Sequence, residues 1–259
     1  MNNRMPVVFA GHGSPMNAIE DNEFSRAWSE LGASLPRPSA VLSISAHWYT
    51  KGTMVTSMER PRTIHDFYGF PKELFGVEYR APGMPRLAER VRAMVKATSI
   101  SPDTYWGLDH GTWSVLCRMY PKADVPVVQL SLDGAMPTAL HYKLGRELMG
   151  LREEGVLIMG SGNIVHNLFE IEWNEKLAFP WASEFDETVK NRIISRDYDS
   201  LVDYQHLGEA ARRSIPTDEH YLPMLYALGA SEKSERVLFF NEKVTLGSVG
   251  MRSFMIGSW

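Results

Sequence analysis

The sequence predicts an α/β fold, a single domain over residues 1–259 with a mostly parallel central sheet flanked by helices. Strand and helix signals alternate along the chain, the pattern of parallel strands joined by crossover helices. Several strand candidates are continuous apolar runs, as expected of strands covered on both faces. Three of those runs end in short polar loops that carry a histidine. PVVFA (6–10) leads into Gly11-His12-Gly13-Ser14, AVLSIS (40–45) into Ala46-His47-Trp48, and VLIM (156–159) into Gly160-Ser161-Gly162-Asn163 and then His166. In open α/β sheets ligands bind beyond the carboxyl ends of the strands, so these loops point to one crevice.

The elements follow in order. After the strand at 6–10, a helix over 22–31 opens on Asn22 as N-cap and places Phe24, Trp28 and Leu31 at helical spacing. The second strand is 40–45, and 54–57 is a short extra strand. Residues 60–85 are a Gly/Pro-rich excursion with aromatic content, and 84–97 form a basic amphipathic helix with a solvated face. A helix at 112–119, a strand at 125–130 and a helix at 137–151 with Pro137 in its first turn come next. The strand at 156–159 precedes helical stretches at 184–195, 205–214 and 220–228, and residues 236–240 and 253–256 supply the final strands.

Composition narrows the function classes. Charged residues at 22% and hydrophobic ones at 44% are ordinary for a globular enzyme. A net charge of −4 gives no footprint for nucleic acid or an anionic membrane as partner. No apolar run approaches the roughly 20 residues that span a bilayer, and the chain enters its first strand with no signal-like h-region, so a cytoplasmic location is expected. The single cysteine, Cys117, excludes an internal disulfide and reads as packing in a helix rather than as a nucleophile.

The eight histidines divide by context. His141 and His206 lie in helical stretches and are expected to face solvent. His65, beside Asp66 and aromatics, is a candidate for a pocket rim. His12, His47 and His166 follow strands, while His110 (LDHGTW) and His220 (TDEHYLP) sit at helix starts. A helix N-terminus disfavours added positive charge, so a histidine there stays neutral, fit to ligate a metal or accept a proton. Imidazoles gathered from distant positions are what a mononuclear metal site needs.

The motifs GHGSP, SAHW, DHGTW, GSGNIVHNL and DEHYLPMLYALGA, in this order across nearly the whole chain, resemble the class III extradiol ring-cleavage dioxygenases, most closely their DOPA-cleaving branch. The resemblance implies a phosphorylase/hydrolase-like α/β architecture, one non-haem metal, and O2-dependent cleavage of a catechol ring beside its two hydroxyls. By position, His12 and His47 match the histidine ligands, His166 the acid/base histidine and His110 a second active-site histidine near substrate and O2. The third ligand is Glu219 or His220; these neighbours point in different directions, so one of them binds, and the resemblance favours His220. His166 is also a candidate fourth ligand when substrate is absent.

These residue types suit that chemistry. Triplet O2 reacts with a singlet catechol only through a metal with accessible d-electron states, so Fe(II) is expected for turnover, and Zn(II) is expected to fill the same nitrogen site in purified or crystallised protein. His166 would take a proton from a substrate hydroxyl and later return it, and His110 would hydrogen-bond the substrate or oxygen. Asp109 is a candidate to orient His110, and Trp48, Tyr49, Trp106, Trp113 and Tyr221 are candidates to wall the ring. Arg60, Arg62 and Arg80 are candidate carboxylate binders. Activity is expected to fall below about pH 6 as histidines with an ordinary pKa of about 6.5 take up protons. Two other readings stay open: a zinc-dependent hydrolase, and a non-catalytic binding protein of the same fold. Oligomeric state is not specified by these features.

Overall fold

The apolar run after Pro6 forms β1 (Val7–Gly11), every residue of which is buried. The structure, a computed structural model, describes residues 4–257. Within β1 the period of two holds although the run is continuously apolar: Val7 and Phe9 enter the core on one face of the sheet, Val8 and Ala10 the core on the other. Asn22 caps α1 (Glu23–Ser34), its side chain accepting from the Phe24 and Ser25 amides. Then come β2 (Ala40–Thr50), β3 (Thr53–Thr56), α2 (Lys72–Phe75), α3 (Pro85–Met94), β4 (Ile100–Asp103), α4 (His110–Met119), β5 (Val127–Asp133) and α5 (Thr138–Leu148). The chain continues through β6 (Val156–Gly162), α6 (Pro180–Ile194), α7 (Tyr198–Val202), α8 (Glu209–Ser214), α9 (Leu222–Gly229), β7 (Arg236–Phe240), β8 (Val244–Thr245), β9 (Val249–Gly250) and β10 (Ser253–Gly257).

Eight strands join in one sheet in the order β4-β3-β5-β2-β6-β1-β10-β7. Its centre, β5-β2-β6-β1, is wholly parallel. Antiparallel pairings occur where β3 meets β5 and where β10 joins β1 and β7. Helices α1 and α4 cover one face through Trp28, Leu31, Trp113 and Leu116, and α3, α5, α6 and α9 cover the other. The α/β architecture with a mostly parallel, helix-flanked sheet is therefore as the sequence predicts. No helix among the described residues is long and apolar enough to cross a membrane.

Several local expectations differ. β2 runs on through Thr50 instead of ending at Ser45, because its last residues pair again with β5 after a register shift between Ile44 and Tyr49. The 205–214 stretch breaks at Gly208, whose φ of 92° no continuing helix allows. His141 is fully buried rather than solvent-facing, with Nδ1 3.1 Å from the Tyr226 hydroxyl. The reason is that His141 lies on the same stripe of α5 as Leu144, Gly145 and Leu148, the face that packs against α9. His206 is exposed, as expected.

Candidate metal centre

β1, β6 and β2 are neighbours in the sheet, and their carboxyl ends deliver the three loops that the sequence singles out. His12 follows β1. His47 lies in the segment of β2 between its two registers with β5, an irregularity that re-aims side chains. His220 comes from the turn before α9 and is fastened to the end of β6 by two bonds: the Asn163 amide donates to the His220 carbonyl at 2.9 Å, and His220 Nδ1 lies 3.1 Å from Asn163 Oδ1. Such a close approach requires glycine at 162, since a Cβ there would fall 2.1 Å from the His220 carbonyl oxygen.

His12, His47 and His220 each present a ring nitrogen such that all three lie within 4.8 Å of one another, and the Nε2 atoms of His12 and His47 are 3.0 Å apart. The polar group on the far side of each ring sets its tautomer. Ser161 Oγ donates to the Gly111 carbonyl at 2.5 Å, so toward His12 Nδ1, 3.0 Å away, it is an acceptor. Asn163 Nδ2 donates to the Gly250 carbonyl, which fixes Oδ1 as the acceptor for His220 Nδ1–H. His47 Nδ1 lies 3.4 Å from Asp66 Oδ2. All three rings thus carry their proton on Nδ1 and turn an Nε2 lone pair inward, the form in which imidazole binds a metal.

The remaining candidates surround this triad. His166 is stacked face to face on His220, ring centroids 3.5 Å apart and planes 7° apart, and stands outside the 4.8 Å triad, in a second group with Glu219 and His220. Glu219 itself accepts from Thr217 Oγ1 at 2.8 Å. The His110 ring is 3.8 Å from that of His47, and its Nδ1 donates to Asp66 Oδ2 at 2.9 Å. Electrostatics keep the inner rings neutral. Burial, reinforced by the neighbouring histidines, depresses His12, His47 and His220 well below the ordinary value, and burial with the nearby His110 brings His166 down to about 4. Burial pushes the Asp66 carboxyl up, but the hydrogen bonds from the His110 ring and backbone and the proximity of the imidazoles outweigh it and hold the group below its usual range.

The profile of the catalytic LigB subunit of aromatic ring-opening dioxygenases matches residues 6–252. The chain belongs to this family. Among relatives of this LigB-family chain, the 4,5-DOPA dioxygenase extradiol of Escherichia coli K12 is 47% identical over 98% of this chain and 95% of its own. That of Beta vulgaris is 37% identical over 91% and 90%. The crystal structure of an uncharacterised protein from Escherichia coli K12 superposes with a TM-score of 0.86 at 44% identity, covering 98% of this chain and 100% of the other. Membership makes the chain an aromatic ring-opening dioxygenase and sets aside the hydrolase and pure binding-protein readings.

Other residues of this LigB-family chain fall differently from expectation. Asp109 does not touch the His110 ring; it caps α4 through the Thr112 amide and accepts from Ser45 Oγ at 2.7 Å, and burial, aided by Asp66, pushes its carboxyl up to about 6. The partner of His110 is Asp66, which the sequence reading passed over as a mere neighbour of His65. His65 is spent on the Val77 carbonyl, 3.0 Å away. Trp48 stacks on Trp106, Trp113 Nε1 donates to the Ile64 carbonyl, and the Tyr221 hydroxyl donates to the Leu201 carbonyl, so these aromatics serve packing. Tyr49 is half-exposed and donates to Asp218. The aromatic that meets His110 is Phe67, edge to face at 5.6 Å. Arg62 donates to the Trp106 carbonyl, and Arg60 and Arg80 line a separate groove with Arg86. Cys117 is partly buried, and burial raises its thiol to about 11, which leaves it an unreactive thiol at neutral pH.

Proposed function

We propose that the chain is an extradiol dioxygenase that opens the catechol ring of L-DOPA or a similar 3,4-dihydroxyphenyl compound with O2, giving a muconate semialdehyde. A single divalent metal, Fe(II) for turnover, is held by His12, His47 and His220. The observation that carries the reading is the triad of inward-turned nitrogens, with the outer nitrogens of His12 and His220 hydrogen-bonded and that of His47 facing the Asp66 carboxylate at 3.4 Å. The relatives named for DOPA cleavage supply the substrate class.

When bound, the metal supplies the d-electron states that permit O2 to react and the positive charge that acidifies a bound phenol. The chain's own residues do the rest. His166, neutral because burial lowers its pKa to about 4, accepts a proton from a substrate hydroxyl next to the triad. The His220 ring stacked beneath it restricts how it can turn. His110 commits its Nδ1 proton to Asp66, so its Nε2 is free to accept a hydrogen bond from a hydroxyl. Phe67, packed edge to face on His110 and against the buried Trp113, lines this side with apolar surface. Glu219, facing Thr217, is the weaker third ligand.

The test is O2 uptake with L-DOPA by metal-free protein reloaded anaerobically with Fe(II), beside a Zn(II)-loaded control. Stoichiometric uptake with a yellow semialdehyde in the iron sample alone is the expected result. Catechol loss without O2 uptake, or no uptake with L-DOPA and simpler catechols, overturns the proposal.

A further inference from the structure

Asp66 is the acidic group bonded to His110 and set against the His47 ring. A single oxygen, Oδ2, lies 2.9 Å from His110 Nδ1 and 3.4 Å from His47 Nδ1, while Oδ1 accepts the His110 backbone amide at 2.9 Å. The carboxylate is mostly covered, with 17% of its side-chain surface exposed. It is also rigidly delivered. The strip before it pairs with the residues leading into α4: Ile64 donates to the Leu108 carbonyl at 2.7 Å, Leu108 to the Arg62 carbonyl at 2.9 Å, and Trp113 Nε1 to the Ile64 carbonyl at 2.8 Å. On the other flank, the Tyr79 amide donates to Thr63 Oγ1 and His65 lies against the Val77 carbonyl. The strip that leads into Asp66 is therefore held along one edge by the start of α4 and along the other by Val77 and Tyr79.

We infer that Asp66 is a positioning residue shared by two functions: one carboxylate oxygen fixes the Nδ1–H tautomer of His110 beside the substrate by a hydrogen bond and, through its charge 3.4 Å from His47 Nδ1, favours the same tautomer in that metal-facing ring. This inference rests on the proposed metal triad. A carboxylate accepting from an imidazole N–H raises the basicity of the other nitrogen and holds the ring plane, and loss of such a partner typically costs about 10–100-fold in metal affinity or activity. His12 and His220 have neutral acceptors for this purpose, Ser161 and Asn163. His47 alone has an anion, and it shares that anion with His110. The two rings are thereby coupled, because a stronger hold of Asp66 on one loosens its hold on the other.

The experiment uses Asp66→Asn, Asp66→Glu and His110→Ala, each checked for native circular dichroism. Co(II) affinity, stoichiometry and visible spectrum are measured without substrate, then kcat and KM with a catechol after Fe(II) loading. Asp66→Asn is expected to weaken Co(II) by about 10–100-fold at unchanged one-to-one stoichiometry, to shift the visible band, and to lower kcat at saturating metal more than it changes KM. Asp66→Glu is expected to recover part of both losses, and the weakening by Asp66→Asn should persist in the His110→Ala background. Wild-type Co(II) affinity and spectrum in Asp66→Asn overturn the inference. So does a second equivalent of Co(II) in the wild type that Asp66→Asn removes, which makes Asp66 a ligand of its own site. If Asp66→Asn does not fold, a Co(II) affinity of Asp66→Glu equal to wild type at unchanged kcat overturns it. Metal binding is read without catechol, so failure of the ring-cleavage proposal leaves this result separately legible.

Discussion

At the scale of single residues, the histidines of the centre differ by what lies behind them. His12 and His47 turn Nε2 inward, whereas His166 offers a stacked, neutral ring beside the triad. His12→Ala and His47→Ala are expected to abolish stoichiometric metal binding. His166→Ala should retain most of the metal while turnover falls by about 10²–10⁴-fold, the usual contribution of a positioned acid/base. Metal analysis beside steady-state kinetics checks this, and metal loss in His166→Ala equal to that of the ligand variants makes His166 a ligand. The convergence of His12, His47 and His166 on one crevice was legible where a histidine follows an apolar run. Asp66, Ser161 and Asn163 were not, because their role depends on which ring nitrogen they meet, a property of the folded excursion and of β6. Asp109 was misjudged for the same reason: adjacency to His110 in the chain sends its side chain toward Ser45 and Thr112.

At the scale of elements, strands covered on both faces announced themselves as unbroken apolar runs, and capped helices by their first residues. β4 escaped because it is a short edge strand with Pro102 in it and only Ile100 buried, which gives no period to read. The far end of β2 escaped because its bulge breaks the pattern at the point where His47 is aimed. His141 sits on the buried stripe of α5 with Leu144, Gly145 and Leu148, and its polar side chain hides that spacing in the sequence. Packing of α9 against β6 yields a prediction. The Cβ of Gly162→Ala would meet the His220 carbonyl at 2.1 Å, so the start of α9 must shift and carry His220 with it. A destabilisation of about 1–3 kcal/mol in urea, with a matching fall in metal affinity, is expected. Unchanged metal affinity alongside the stability loss would separate the α9 turn from the centre.

For the whole molecule, the buried histidines make stability depend on pH in a definite direction. His12, His47, His220 and His166 have folded pKa values below the unfolded value of about 6.5. As pH falls below about 6.5 the unfolded chain takes up protons that the folded chain refuses, so stability is full above this point and declines toward the folded values, about 4 for His166. Each ring contributes a slope of up to about 1.4 kcal/mol per pH unit in that window. Urea melts of metal-free protein at pH 7, 6 and 5 should show a progressive loss, and equal stability at all three would mean that these rings titrate normally. The same depression moves the acid limb of activity below the pH 6 that an ordinary histidine would set, since the ligands stay unprotonated longer.

The triad gathers nitrogens from positions 12, 47 and 220, and the loops that hold them come from β1, β2 and the approach to α9. No two of these segments are neighbours along the chain, so the unfolded polypeptide has no local cluster with which to capture an ion. On the proposed metal triad, a bound metal is therefore a clasp closed only after the sheet order is complete, and it adds about 2.7 kcal/mol to stability at an ion concentration one hundred times the dissociation constant. If the triad holds its proposed ion, the supply of metal sets not only the rate of turnover but also the fraction of copies that stay folded.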